Sequence, residues 1–267
     1  MRLFVTGLGG YLGHALAAVA SVECSGTVRS GPAPTGLRCF AVDVRDERAV
    51  AAAIAAVDPD AVVHTAYVRD GDEAWPVNVD GAAAVARAAA GAGVRLVHMS
   101  SDVVFSGDLD RPLREDDPVA PVGAYGESKA AAEAAVAVAC PGAVLVRTSL
   151  IYGGAEPSTY ELAALDPAQT FYEDEVRCPV AAGDLAAALV ELAALPGVSG
   201  PLHVAGADAV SRLELARLFA AARGGEPAAV RGGPRPAGRA GDLRLDCSRA
   251  RSLLRVRLRG VREVLTA

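Results

Sequence analysis

Aromatic side chains are scarce in this chain, 4% of the residues with a single tryptophan, although hydrophobic residues make up 52%. The apolar surplus is alanine and valine, which suits helices packed closely on a parallel sheet. There is no basic excess either. A formal net charge of −6 gives no reason to expect nucleic acid or an anionic membrane as partner. Long apolar runs are missing: the stretch Val85 to Val94 is broken by Arg87 and by glycines, well short of a membrane span. No charged-then-apolar leader with a cleavage site opens the sequence, so a soluble cytoplasmic protein is expected. The cysteines, Cys24, Cys39, Cys140, Cys178 and Cys247, are scattered and lack C-x-x-C spacing. That pattern favours buried reduced thiols over disulfides or a metal site, and no metal is expected. A chain of 267 residues can bury a full α/β core, either as one large domain or as a large domain with a small appendage, and more than one complete domain pair is not expected.

What the chain does have is an organised first turn, Met1 to Gly13, reading M-R-L-F-V-T-G-L-G-G-Y-L-G. The apolar run Leu3-Phe4-Val5 ends in Thr6-Gly7, and Gly10 and Gly13 follow at the spacing of the dinucleotide fingerprint. Gly7 allows the sharp turn, Gly10 the approach of backbone to a pyrophosphate, and Gly13 close packing of the next helix, from about Tyr11 to Ala20. A second strand is expected over Gly26 to Ser30, ahead of the turn-rich Gly31 to Pro34. Arg29 then stands where a Rossmann unit reads the adenosine ribose, and it points to NADP(H); the alternative is a solvated loop arginine. A third strand runs from Leu37 to Val42, and Asp43 either holds the adenine edge or caps the helix Glu47 to Val57, as Asp46 does.

The fourth strand, Asp60 to Ala66, contains His64, read as a core histidine because no second ligand stands nearby at metal spacing. An Ala-rich helix, Pro76 to Ala92, precedes a fifth strand, Val94 to Met99, which ends in Ser100-Ser101-Asp102. Hydroxyl residues at the carboxyl end of a central parallel strand lie where open α/β sheets bind ligands. Tyr125 and Lys129, four apart at the start of another helix, share one face and reach one site. A sixth strand runs from Ala143 to Thr148. The expected fold is a Rossmann doubly wound parallel sheet with helices on both faces. Its division is a nucleotide-binding domain over 1–148 and a small C-terminal substrate lobe over 149–267, interleaved with late Rossmann elements. Ser149 to Val180 reads as irregular, and Gly183 to Ala194 as a helix followed by a short strand at Leu202 to Ala205. Ser211 and Glu214 form a capping box for a helix to Arg223, and the Gly/Pro/Arg-rich Arg223 to Arg239 reads as a mobile, solvated loop whose basic run could otherwise contact phosphate.

Together the fingerprint, Ser101, Tyr125 and Lys129 resemble the extended short-chain dehydrogenase/reductase superfamily. The closer resemblance is to the dTDP-4-dehydrorhamnose reductase family, through Val97 to Phe105, Tyr125 to Lys129, Arg147 to Gly153 and Leu202 to Gly206 with Val210 to Arg212. The resemblance implies a catalytic trio of Ser101, Tyr125 and Lys129. It implies cofactor contacts from Gly7, Gly10, Tyr11, Leu12, Asp43, Val44, Thr65, Ala66, Tyr67, Tyr125 and Lys129, and substrate contacts from Ser101, Asp102, Tyr125 and Leu150. The implied activity is NADPH-dependent reduction of a nucleotide-linked 4-keto sugar in deoxysugar or secondary-metabolite biosynthesis, with the Lys129 ammonium lowering the Tyr125 phenol toward its working range. The family commonly carries an aromatic after the Ser/Thr-Asp pair and a Trp in the Arg-Thr-Ser stretch, where this chain has Val103 and Leu150. With those rings gone, rhamnose as product does not follow. Two alternatives share the resemblance: a nucleotide-sugar epimerase or dehydratase, and a non-catalytic NADP-binding subunit such as the regulatory subunit of methionine adenosyltransferase. The small-molecule partner implied is a nucleotide sugar, with room for a homodimer.

Overall fold

Strands buried on both faces need apolar residues at successive positions, and the first half of the chain supplies them in short bursts. The structure is a computed structural model that describes residues 1–19, 21–29 and 34–266. Its first strands are β1 (Arg2–Thr6), β2 (Glu23–Val28), β3 (Arg38–Ala41), β4 (Ala61–His64), β5 (Arg95–Ser101) and β6 (Val144–Thr148). Between them lie α1 (Tyr11–Ala17), α2 (Glu47–Val57), α3 (Ala82–Gly91) and α4 (Ala124–Ala139). Ala20, Ser30 and Gly31 to Ala33, where a helix end, a strand end and a turn were expected, lie outside the described residues.

Short elements follow β6: β7 (Ile151–Tyr152), α5 (Thr159–Ala163), β8 (Thr170–Tyr172), β9 (Val176–Arg177) and β10 (Val180–Ala181). Helix α6 (Ala182–Ala193) leads back to the main sheet, which receives β11 (Gly200–His203) as its last strand. Then come β12 (Val210–Ser211), α7 (Arg212–Ala222), β13 (Arg231–Gly233), α8 (Ser248–Leu253) and α9 (Val261–Thr266). The central sheet has seven strands in the order β11-β6-β5-β4-β1-β2-β3, and its pairings are parallel. This is the doubly wound Rossmann order, which reverses beside β1 and opens a crevice at the carboxyl ends of β1 and β4.

Alternation along each strand divides the core. Leu3, Val5, Val63, Val97 and Val146 face Leu185 and Leu189 of α6 together with Leu12 and Leu16. Phe4, Val62, Leu96 and Leu145 face Ile54 of α2, Val85 of α3 and Val136 of α4. The helix expected over Pro76 to Ala92 is two pieces: a π-helical turn, Pro76–Gly81, precedes α3. The extra residue in that turn goes with Asn78, whose side chain bonds the backbone of Val68 in both directions at 2.8 Å. Such turns recur next to functional sites. The Arg223 to Arg239 stretch is held, not loose. Strand β13 pairs with β8, and Arg235 Nη1 lies 3.0 Å from Asp174.

Candidate active site

Gly7 ends β1 with φ +77°, the left-handed region that a side chain makes costly. A Cβ on Gly7 would also stand 3.0 Å from the backbone of Ala66. The turn therefore presents bare backbone, and Gly7, Gly9 and Gly10 form one wall of a cavity of about 680 Å3. Tyr11, Leu12, Arg29, Val44, Thr65, Ala66 and Tyr67 line the same cavity. Thr65 donates its hydroxyl to the Thr6 carbonyl at 2.8 Å, which locks the end of β4 against the glycine turn. Asp43 does not line the cavity. Its carboxylate is taken by Arg45 at 2.6 Å, and that pairing holds it below the usual carboxylate range. Tyr11 does something the fingerprint did not announce. Its hydroxyl accepts from the Gly154 amide at 2.7 Å and points its proton at Glu161, 3.4 Å away, so the cofactor turn is tied to the C-terminal part of the chain.

Ser101, Tyr125 and Lys129 come together on the cavity wall. Ser101 is the last residue of β5 and caps the short 3-10 turn Asp102–Val104. The start of α4 packs against that turn because residue 126 is glycine: a Cβ there would fall 2.4 Å from the Val103 carbonyl. Asn78 completes the frame, donating to Ser128 Oγ at 3.0 Å, and Ser128 in turn donates to the Tyr125 carbonyl at 2.8 Å. Asn78 was not singled out from sequence because one Asn in an Ala-rich run carries no local signal.

Electrostatics differ from the expectation on one point. Burial pushes the Tyr125 phenol up, nearby Tyr67, Tyr160 and Asp102 add to it, and the cation that pulls it down is Arg69. In the chain alone burial therefore outweighs the nearby cation, and the phenol holds its proton. The Lys129 ammonium is buried and donates to the Met99 carbonyl at 2.5 Å; burial pushes it down to about 8, against a rise from Glu133. Beneath it His64 stacks on His98 with centroids 5.1 Å apart. Burial and then Lys129 drive His64 down to about 3, so it stays neutral and pairs with Thr6 Oγ1 at 2.6 Å. It is the core histidine expected.

Lys129 costs stability. Its folded form gives up the proton near pH 8, while the unfolded chain keeps it to about pH 10. Between those values the unfolded state binds more protons, so stability from this group rises with pH; below about 8 the full penalty, on the order of 3 kcal/mol, is present. Losing the bond to Met99 offsets about 1 kcal/mol. Lys129→Met is thus expected to raise unfolding stability at neutral pH by about 2 kcal/mol, to flatten the rise toward pH 10, and to abolish turnover. Denaturant unfolding at neutral and alkaline pH checks it, and a variant less stable than wild type at neutral pH would refute it.

The far end of the cavity is lined by Arg69, Arg177, Arg212 and Arg239 together with Glu175 and Tyr160. Glu175 is buried and binds Arg239 at 2.9 Å and Arg177 at 3.1 Å. The Tyr160 ring lies against two guanidinium groups, Arg212 at 4.8 Å and Arg69 at 5.7 Å, and its hydroxyl accepts from Arg69 at 2.7 Å. Arg212 has no carboxylate partner within ion-pair distance among the described residues. Of these residues the sequence placed Arg239 in a solvated run, Arg212 at the end of a resembling segment, and Tyr160, Glu175 and Arg177 within the stretch expected for the substrate lobe, but gave Arg69 no role. Leu150 and Val103 do line the cavity, and ring surface comes instead from Tyr67, whose centroid is 6.0 Å from that of Tyr125, and from Tyr160. The cysteines are free, and no cluster of three metal-type ligands occurs among the described residues.

The chain is 34% identical to a dTDP-4-dehydrorhamnose reductase of Mycolicibacterium smegmatis, covering 99% of this chain and 84% of the relative. Its fold matches a solved hypothetical dTDP-4-dehydrorhamnose reductase from Sulfolobus tokodaii with TM-score 0.80 and 28% identity, covering 97% of each. A dTDP-4-dehydrorhamnose reductase from Bacillus anthracis, solved in complex with NADP, shares the fold at TM-score 0.82 and 22% identity over 99% of this chain and 97% of that one. The model of the RmlD substrate binding domain matches residues 1–267. With that match running through the glycine turn, the Ser-Tyr-Lys wall and the arginine-lined end alike, the chain belongs to the RmlD substrate binding domain family.

Proposed function

We propose that the protein is an NADPH-dependent reductase of a nucleotide-linked 4-keto sugar, working in deoxysugar biosynthesis. The observation that carries the reading is one cavity walled by the bare glycine turn, by Ser101, Tyr125 and Lys129, and by the arginine cluster. The cofactor fits the residues present: Gly7, Gly9 and Gly10 offer unobstructed backbone for its pyrophosphate, and Arg29, exposed just past β2, offers charge for a 2′-phosphate. NADPH, when bound, supplies the hydride that a carbonyl carbon accepts. Tyr125, held protonated by burial, gives its proton to the carbonyl oxygen, and Ser101 orients that oxygen. Lys129 carries a buried positive charge beside this wall, which favours the charge that develops as the proton leaves. Arg212 and Arg239 supply donors for a nucleotide's diphosphate, and Tyr160 a ring on which a base or sugar can lie. No helix among the described residues is long and apolar enough to cross a membrane; we place the reaction in the cytoplasm, with a nucleotide sugar as the small-molecule partner and a homodimer as the assembly to test.

The deciding experiment mixes the purified protein with NADPH and dTDP-4-dehydrorhamnose or related dTDP-linked keto sugars and follows loss of reduced-cofactor absorbance. Stoichiometric consumption supports the reductase. Sugar conversion without net consumption would instead show an epimerase, and tight NADPH binding without any conversion a binding subunit. Cofactor choice gives a separate expectation. NADPH should bind more tightly than NADH, and Arg29→Ala should cut NADPH affinity about tenfold, the worth of one charge-assisted contact, while leaving NADH unchanged. Fluorescence titration reads both, and equal wild-type affinities would overturn it.

A further inference from the structure

Asp102 follows Ser101 directly, yet its side chain is only 5% exposed, and each of its oxygens already meets a serine. Oδ1 accepts from the Ser101 hydroxyl at 3.1 Å, and Oδ2 accepts from the Ser149 hydroxyl at 2.6 Å. Arg177 Nε stands 3.9 Å from that second oxygen. Ser149 is itself fixed, its Oγ accepting from the Cys178 amide at 3.3 Å. The Ser101 oxygen also accepts from the Val103 amide at 3.4 Å. A serine hydroxyl has one proton and two lone pairs. Here the proton is aimed at Asp102 and one lone pair at Val103, which leaves the other lone pair for the cavity.

We propose that Asp102 is a positioning residue acting through Ser101, whatever else it meets on the cavity wall. Anchored by Ser149 and Arg177, its carboxylate holds the Ser101 oxygen at the wall and gives its proton a resting place. In that state the hydroxyl presents a lone pair and receives an alcohol. Swinging the proton off Oδ1 toward the cavity makes it a donor to a ketone oxygen, and the bond from Ser149, with the Arg177 charge 3.9 Å away, keeps the carboxylate in place while it does so. The two rotor states match the two directions of a carbonyl–alcohol interconversion, and only a hydroxyl rotation separates them. The inference rests on the reductase reading above.

The test is a double-mutant cycle on steady-state kcat and KM for the keto sugar that wild type reduces. Asp102→Asn and Ser101→Ala are each expected to lower kcat about tenfold, as lost orientation does, with KM for the sugar within about twofold of wild type. The double variant should be no slower than Ser101→Ala alone, because Asp102 has nothing left to position. Ser149→Ala keeps the Asp102 side chain and gives a second route: a smaller loss in kcat that also vanishes in the Ser101→Ala background. Thermal midpoints and NADPH titration report folding, and if Asp102→Asn does not fold, the Ser149 cycle decides. Losses that multiply in the double variants, or a severalfold rise in KM for Asp102→Asn or Ser149→Ala, would overturn the role. A wild type that reduces no nucleotide-linked ketone would instead defeat the reductase reading, so the two failures are distinct.

Discussion

Tyr125→Phe is expected to lower turnover of the keto sugar by on the order of a hundredfold or more, the usual worth of a positioned acid, while folding and NADPH affinity persist. The ring stays, so its packing near Tyr67 stays; the hydroxyl, and with it the only proton the side chain could give, is lost. Ser128 holds the backbone of residue 125 through its carbonyl, a contact the substitution does not touch. Because burial and the neighbouring Tyr67, Tyr160 and Asp102 all push the phenol up, it keeps its proton across the neutral range. Reduction should therefore show no loss assignable to Tyr125 as pH rises through neutrality in the wild type. Absorbance assays on wild type and variant, with unfolding curves for both, measure this. A folded variant working at the wild-type rate would remove Tyr125 from the chemistry.

Glu133→Ala is expected to cost about 3 to 5 kcal/mol of unfolding free energy, the range for leaving a buried charge without its partner. Arg147 is 3% exposed and grips Glu133 with two nitrogens, Nε at 3.0 Å and Nη2 at 2.8 Å. It also lies over the Phe105 ring at 4.9 Å and donates to the Glu115 carbonyl at 3.1 Å. Replacing both partners with methionine removes the stranded charge, and the pair should recover most of the loss. Urea unfolding of wild type, single and double variants decides it: a single variant within about 1 kcal/mol of wild type would mean the pair behaves as an exposed one.

The elements legible in sequence were those with a local cause. Helix α2 came out with its bounds, Glu47–Val57, because Asp46 accepts from the Ala49 amide at its start and Asp58 closes it in the left-handed region. The glycine turn and the hydroxyl at the end of β5 were equally local. Two caps show where reading stopped. Ser211 does cap α7, but Glu214, expected to close a capping box, gives its carboxylate to Arg262 at 2.6 Å instead. A complete box sits at Ser158 and Glu161, inside the stretch read as irregular, on a helix of only five residues that offers no periodicity to notice. The strands of that region are two or three residues long, too short for any alternation to register. Partners far apart in sequence were hidden for a different reason. Glu175 meets Arg239 across 64 positions, so nothing local marks the buried carboxylate that joins Arg239 to Arg177.

The order in which the sheet is completed bears on how the chain is made. Strand β6 takes β5 on one side and, on the other, β11, whose first residue is Gly200. A growing chain thus carries β6 for some fifty residues of synthesis before its second neighbour exists. During that interval Val144 to Thr148, buried along its length in the finished sheet, offers a free row of amides and carbonyls, the edge on which strands of other chains can add. A fragment cut at Thr148 keeps that edge permanently and should aggregate where the whole chain does not.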